Sequence, residues 1–569
     1  MASLKELVEL YVEMENTSSH KKIVGLLTSF FRSLDPDDVR TAAYLVLGTV
    51  GPEYEDTELG IREKLAIRSI ADAFGISRQK VEKTYSDTGD LGDAAFEFSS
   101  NKNSDLTIRD VMDCLTQIKN TSGEGSQQKK IELLAEILAR ASAMEAKYIM
   151  RITLGELRLG FGEQFVLSAL AMAFTGDDKN TVYLEEAYNV CTDIGQLAES
   201  VSEYGLASIK RFSVKIGRPV RSMLAKRVDK FENLNDKFPE QMAAEEKYDG
   251  ERIQVHIINE NIQIFSRRLD NITDQFPDVV DAVKKHIKAE KAVLDGEVIA
   301  FRNENINSFQ ELMQRRRKYD VEEYVDKVPV VAYMFDIIYL NGKSYLKVPY
   351  PHRRTALEEH LEENEKIRLV ERTVSADFNE IRSFFDRCID KGLEGIIIKS
   401  VADNSFYQPG KRGWLWVKWK KEYAEDVRDT FDLIIVGFYS GKGKRQGLFG
   451  SLLCAVLNKE KNQYETFTRV GTGFTDQDLE EISELLNKKK IKKKPPNLVV
   501  EKEMVPDSYI DPSVVIEVLG SQVTESPHHT AGKNKSDKGY ALRFPRFLRM
   551  RYDKGPLDVT TIEEVRNLL

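Results

Sequence analysis

At 569 residues, with 41% hydrophobic and 31% charged residues and a net charge of −9, the chain is too long for one core, and three or four domains are expected. No run approaches the roughly 18 apolar residues of a membrane span, and the N-terminal MASLKELVELYVEMENT is amphipathic and acidic, unlike a secretory leader. Cys114, Cys191, Cys388 and Cys454 form no CxxC pair, which argues against a zinc knuckle or disulfide framework and for a reduced cytoplasm; the acidic balance does not exclude nucleic acid, because a basic groove can sit on an acidic protein.

From residue 1 to about 215 apolar residues recur at three and four, as in Leu4, Leu7, Val8, Tyr11 and again in Ile131, Leu134, Ile137, Leu138, which predicts an all-helical domain. Within it, RITLGELRLGFGEQFVLSALAMAF (151–174) is interrupted by Gly160 and Gly162. Backbone amides at that break, with Arg151 and Arg158, suit a phosphate; a helix-turn-helix with solvated arginines fits the local sequence equally. Around IGRPVRSMLAKRV (216–228), Gly217 and Pro219 break the helical pattern and mark a boundary.

Strand-like runs then appear at 253–258, 262–266, 293–301, 330–340 and 394–399, with helical runs at 277–289, 309–318, 353–364 and 377–391. This is a mixed α+β domain large enough for a ligand cleft. After WVKWKKEY (416–423) come short strands such as 431–439 and 451–457, a helix at 475–488 and a lysine run at 488–494, the pattern of a small β-barrel. The expected domains are therefore 1–215, 216–421 and 422–569, and the lysine run reads as a solvated loop or a phosphate contact.

The α+β domain carries the chemistry. Lys247 is followed by Asp249-Gly250 and by Ile253, Val255 and Ile257, so it stands just before a turn and a half-buried strand. A nucleophilic amine needs such a rigid mount, although an isolated KxDG is equally a surface lysine before an Asp-Gly turn. Arg267 and Arg268 end the next strand and suit phosphate or ribose. Asp295 and Glu297, two apart, fall on one face of a strand, as Mg²⁺ or a ribose diol would want. Phe335 and Tyr339 are flat surfaces for a purine, or plain core. Glu394 and Lys399 bracket three isoleucines, whose burial predicts that the charged ends emerge at the mouths of the strand. In GKRGWLWVKWKKEY (410–423), Lys418 and Lys420 share a strand face and bear on one phosphate group, unless the strand is a solvated basic edge.

KYDGER (247–252), SRR (266–268), DGE (295–297), FDIIYL (335–340), EGIIIK (394–399), WVKWK (416–420) and RFPRFLRMRYDK (543–554) occur in the order and approximate spacing of the ATP-dependent DNA ligases. LGELRLGFG in the helical part is similar to the DNA-binding domain of the larger archaeal and eukaryotic members, so the resemblance covers nearly the whole chain. It implies an all-α DNA-binding domain, an α+β adenylation (nucleotidyltransferase) domain and a C-terminal OB-fold β-barrel. It also implies that Lys247 is adenylated by ATP and that Glu245 recognises the adenine amino group. Arg252, Arg267 and Glu297 would contact ribose, phosphate or metal, and Phe335 would stack on the base. Glu297 and Glu394 would hold Mg²⁺, and Lys399, Arg412, Lys418 and Lys420 would face the α-phosphate. Arg551, Asp553 and Lys554 resemble the element that covers the triphosphate in the first step.

The implied reaction seals nicks in replication, recombination and repair. Its partners are nicked double-stranded DNA and, for some members, a sliding clamp; no clear QxxLxxFF-type docking stretch is present, DAAFEFSS (93–100) being the nearest. A monomer in the cytoplasm, associated with the nucleoid and not with a membrane, completes the expectation. An RNA ligase, a capping guanylyltransferase or a non-catalytic nucleic-acid binder are the alternatives. The helical first 215 residues and the WVKWK-to-RxDK extension favour a DNA ligase over the first two, and the third predicts no covalent nucleotide adduct.

Overall fold

The computed structural model describes residues 2–55, 57–100, 103–228, 234, 237–238, 241–302, 305–306, 309–315, 321–420, 430–441, 445, 447–520, 522–533 and 538–568. The chain forms two compact units, Met1–Tyr423 and Ala424–Leu569; the expected boundary at 421/422 falls among residues outside the described ones.

In the first unit, twelve α-helices among the described residues run from Leu4–Glu15 to Ile194–Tyr204. Their apolar stripes meet in one core containing Tyr11, Phe31, Leu134, Tyr148 and Leu167. Ser3 with Glu6 and Thr107 with Asp110 form capping boxes that satisfy the first-turn amides. Of the two arginines singled out around the Gly160 break, Arg151 lies near the end of helix Ala143–Thr153 and Arg158 in the loop before helix Glu163–Thr175. Arg151 is buried against Asp90 and Glu15, and Arg158 pairs with Asp90 and Glu156. Arg151 is therefore not a solvated arginine, whereas Arg158 is half-buried and shares its charge with the buried Asp90 and the exposed Glu156.

The rest of the first unit contains β1 (Leu224–Arg227), β2 (Met242–Lys247), β3 (Glu251–Ile258), β4 (Asn261–Ser266), β5 (Lys291–Arg302), β6 (Asn305–Ile306) and β7 (Val330–Leu340). It continues with β8 (Lys343–Ser344), β9 (Ile367–Leu369), β10 (Arg372–Ser375), β11 (Gly395–Ser400) and β12 (Arg412–Lys420). One sheet has the order β1-β12-β11-β2-β10; the other runs β4-β3-β5-β7-β8, with β6 on β5 and β9 on β7. Ile253, Val255 and Ile257 of β3 alternate into a core with Leu294 and Ile337, as their spacing predicts. Helix Phe378–Asp390 packs Ile381, Phe384 and Phe385 against Ile396 and Ile398 of β11. The expected helix at 309–318 is a short helix, Phe309–Leu312, and a 3-10 turn, Met313–Arg315; its remainder lies outside the described residues.

Two glycines draw the strands together at Lys247. A Cβ on Gly250 would lie 2.3 Å from Val298 O, and one on Gly395 2.2 Å from Trp419 O. The Asp-Gly turn can therefore press against β5, and Gly395, with φ +146°, can sit between Lys247 and Lys420, its register partners on β2 and β12.

The second unit is built on antiparallel strands. Thr430–Ser440 pairs with Phe449–Asn458, which pairs with Gln463–Val470; Thr430–Ser440 also pairs with Val515–Leu519, which pairs with Arg546–Met550. Phe431, Leu452, Phe467 and Ile516 fill its core, and helix Asp476–Lys488 packs Leu479, Ile482 and Leu486 into it. The lysine run starts on the last residue of that helix and includes a two-residue strand, Lys490–Ile491; Lys492, Lys493 and Lys494 are exposed.

Candidate active site

Lys247 stands before the Asp-Gly turn and β3, as the sequence suggested, and is also the last residue of a preceding strand, β2, which the sequence did not reveal. Its Nζ ion-pairs with Glu394, whose other carboxylate oxygen is held by Lys420. The pairing follows from register, because Glu394 N donates to Lys247 O at 3.1 Å immediately before Gly395 joins β11 to β2. Burial pushes the Lys247 amine below its ordinary range. Arg252 and Arg267 add to that push, while Glu297 and Asp249 oppose it. A lysine so placed loses its proton more readily than a free one, as a nucleophile must.

A cavity of about 160 Å³ opens at this amine, and it gathers most of the residues singled out from sequence. Glu245, Lys247, Arg252 and Arg267 line it from β2, β3 and the end of β4. Glu297 comes from β5, Phe335 from β7, Lys399 from β11, and Arg412 and Lys418 from β12. Glu394 and Lys420 adjoin it through the ion pair with Lys247. Arg551 and Lys554 belong to the second unit, where both bind Asp432, at 2.7 and 2.6 Å.

Within the cavity three local arrangements differ from the sequence reading. Lys399 does not emerge at a strand mouth but is 1% exposed, 2.6 Å from Glu245 Oε2, with its ammonium over the rings of Phe335, Tyr350 and Trp416. Burial lowers its proton affinity, which Glu245 and Asp336 counter. Asp295 does not share the cavity with Glu297. It is fully buried, gripped by Arg252 at 3.0 and 2.7 Å and by the Tyr407 hydroxyl at 2.7 Å. Burial alone would loosen the Arg252 proton, but Asp295 more than restores it, so this guanidinium is a fixed positive wall. Lys418 and Lys420 have also separated: Lys420 serves Glu394, whereas Lys418 faces the cavity, its proton affinity lowered by burial and by Lys247, Arg412 and Arg267.

Glu297 is pushed up to about 7 by desolvation, against the pull of Lys247 and Arg252. Glu297 and Glu394 are hard oxygen donors at the cavity. Among the described residues no group of three or more His, Cys, Asp or Glu side chains could hold an ion. Two carboxylates suit Mg²⁺ when substrate phosphates and water complete the octahedron, so the donor set fits that ion. Phe335 and Trp416 meet edge to face at 6.0 Å and form an aromatic wall.

Sequence reasoning passed over Trp416, Tyr350 and Arg354. Trp416 could have been found, since it shares the strand face of Lys418. Tyr350 and Arg354 reach Glu245 from helix Tyr350–His360, about a hundred residues away in the chain, and no local pattern announces them.

Comparison with known proteins points to one family. The profile described as DNA ligase N terminus matches residues 3–171, ATP dependent DNA ligase domain matches 222–420, and ATP dependent DNA ligase C terminal region matches 445–554. DNA ligase 1 of Methanosarcina acetivorans is 53% identical over 100% of this chain and 99% of its own. The probable DNA ligase of Persephonella marina is 40% identical over 99% and 98%. A solved structure titled Pmar-Lig_PreS3 has the same fold, with TM-score 0.56 at 15% identity, covering 96% of this chain and 99% of that one. No helix among the described residues is long and apolar enough to cross a membrane. With these matches running along the length of the sequence, the chain belongs to the ATP-dependent DNA ligase family.

Proposed function

We propose that Lys247 is the residue through which this DNA ligase carries an adenylyl group from ATP to a nick in double-stranded DNA. The observation that carries the reading is the half-buried Lys247 amine at the end of β2, facing the cavity, its proton loosened by desolvation and its carboxylate partner supplied by Glu394. A free lysine, with a pKa of about 10.4, is well under 1% deprotonated at neutral pH, so this loosening matters.

In the first step the neutral amine attacks the α-phosphorus of ATP. A nitrogen–phosphorus bond forms, the bond to the bridging oxygen breaks, pyrophosphate leaves and the amine proton passes to solvent. An oxygen of the 5′-phosphate at the nick then takes the adenylyl group, restoring the amine. Last, the 3′-hydroxyl attacks the 5′-phosphorus, AMP leaves and the strand is joined. Little acid–base work is needed; positioning and electrostatics carry phosphoryl transfer. Glu297 and Glu394 would hold Mg²⁺, which would neutralise charge on the phosphoryl oxygens.

Glu245 accepts a hydrogen bond from the 6-amino group of adenine, and Phe335 stacks on the base. Arg252, Arg267, Arg412, Lys418 and Lys420 serve ribose and phosphates. The pairing of Lys399 with Glu245 supports moving it from the α-phosphate toward the edge of the base. Arg551 and Lys554 meet the triphosphate in the first step. The functional segments are 1–215, 216–421 and 422–569. The enzyme is a monomer of the nucleoid, and a sliding clamp would find Phe96, 44% exposed on helix Leu91–Phe98, within the 93–100 stretch.

The test is a mass measurement and peptide map after incubation with ATP. One added AMP on Lys247, its absence in Lys247→Ala, and loss of sealing by that variant are expected. An adduct on any other residue, or none, overturns the assignment.

A further inference from the structure

The Glu245 carboxylate is held from three sides in the interior. The Tyr350 hydroxyl donates to Oε1 at 2.5 Å, Lys399 Nζ lies 2.6 Å from Oε2, and Arg354 Nη1 stands off at 3.7 Å from Oε1. The three contacts are not equivalent. Arg354 Nη1 is buried and makes no hydrogen bond, so a cation with an unsatisfied donor waits beside the carboxylate. A buried donor without an acceptor is costly, and a carboxylate free to turn would move to satisfy it. Tyr350 opposes that turn. It opens helix Tyr350–His360, and its backbone N–H is fixed by Ser405 O at 3.1 Å and Ser405 Oγ at 2.9 Å. The Lys399 ammonium lies over its ring, 4.8 Å from the centroid. Burial raises the phenol well above its ordinary range, so it stays protonated and serves as a donor.

We propose that Tyr350 is a positioning residue for base selection: its hydroxyl holds Glu245 away from Arg354, with a lone pair turned to the cavity to accept from a purine 6-amino group and to repel a 6-oxo group. The inference rests on the reading that Glu245 meets the base. Each carboxylate oxygen has two lone pairs, and Tyr350 and Lys399 take one from each, which fixes the plane and leaves acceptor capacity for the ligand. Adenine offers a donor at position 6, hypoxanthine an acceptor, and purine riboside only hydrogen. Without the Tyr350 hydroxyl the carboxylate swings to Arg354, and its preference for the amino group fades.

The experiment measures single-turnover self-adenylation or its equivalent with ATP, inosine triphosphate and purine riboside triphosphate, using the full chain and its Tyr350→Phe, Arg354→Met and double variants. Tyr350→Phe keeps the ring under Lys399 and removes only the hydroxyl. Wild type is expected to prefer ATP. In Tyr350→Phe the KM for ATP rises about tenfold, the scale of one hydrogen bond, while KM for purine riboside triphosphate and the saturating rates stay put. Arg354→Met keeps the wild-type preference, and the double variant regains it, because the competing cation is gone. A wild type indifferent to the 6-substituent would defeat the Glu245 reading itself. A wild type that discriminates alongside a Tyr350→Phe variant that discriminates equally, or that loses all three nucleotides in proportion, overturns the role of Tyr350 alone. Failure of the double variant to recover overturns it as well.

Discussion

Lys247 and Glu394 are joined twice, by a backbone hydrogen bond from Glu394 N to Lys247 O at 3.1 Å and by the ion pair between their side chains. The backbone bond precedes the first residue of β11, so strand register brings the carboxylate beside the amine. Lys420 holds the other oxygen of the same carboxylate.

Glu394→Gln keeps the shape and removes the charge shared by the two lysines. We expect self-adenylation to fall by about 10²-fold, the scale of losing one preorganised electrostatic partner. Single-turnover transfer from labelled ATP checks this, and a rate within twofold of wild type would remove Glu394 from the first step.

Asp336 and Arg353 are both 0% exposed and face each other at 2.7 and 2.9 Å, with Arg353 also donating to Val348 O and Ser405 O. Burial alone would weaken both charges, but each restores the other: Asp336 lies below the usual carboxylate range and Arg353 above its own. Removing Arg353 leaves Asp336 with only the more distant Lys399, at 3.9 Å, as counter-charge, so Arg353→Met is expected to cost about 3 kcal/mol, the lower end for a broken buried pair. Asp336→Asn combined with Arg353→Met should cost less than the sum of the single changes, read from chemical denaturation. Strict additivity would show that the two do not act as a pair.

The strands and helices of the central domain were legible from their apolar residues, as short apolar runs in buried strands and as a three-and-four spacing in helices. The run 330–340 is β7, 262–266 falls within β4, and 377–391 brackets helix Phe378–Asp390. β2 was not legible as a strand, since MAAEEK presents two adjacent glutamates. The structure buries both, Glu245 toward Tyr350 and Lys399, and Glu246 on the opposite face toward Tyr248 and Lys391. The partners come from elsewhere in the chain, so periodicity has nothing to register. Lys399 was misjudged for the same reason: three isoleucines describe its strand, but only Glu245 explains why its ammonium stays inside. The residue types of the cavity were thus readable, and their pairings were not.

His256 supplies a test of stability against pH. Its Nδ1 accepts from Gly217 N at 3.0 Å and its Nε2 lies 2.9 Å from Gln254 Oε1, which also accepts from Val220 N at 2.7 Å. With the Phe265 ring against it, this side chain fastens the 216–220 segment to β3 as a neutral imidazole, and burial lowers it to about 3. The unfolded chain takes up this proton below about pH 6.5 while the folded chain does not, so stability is whole above that value and drains as pH falls toward 3. Between pH 7 and 5 the residue should account for about 2 kcal/mol of lost stability. Denaturation of wild type and His256→Gln at both values checks the slope, and parallel losses would mean that His256 is not the proton sink.

Arg551 and Lys554 share Asp432, and Arg551 also meets Asp553 at 2.9 and 2.7 Å. The carboxylate pair fixes the plane of the guanidinium, and both cations must give up a carboxylate oxygen to take a phosphate oxygen. Only the first step of the reaction has a triphosphate to offer. Arg551→Ala and Lys554→Ala are therefore expected to slow self-adenylation by about 10²-fold while leaving sealing of a pre-adenylated nick within a few fold of wild type. The two assays share protein and metal, so a general folding defect would depress both together. Equal losses in both assays would mean that the pair holds the second unit together and has no part in handling ATP.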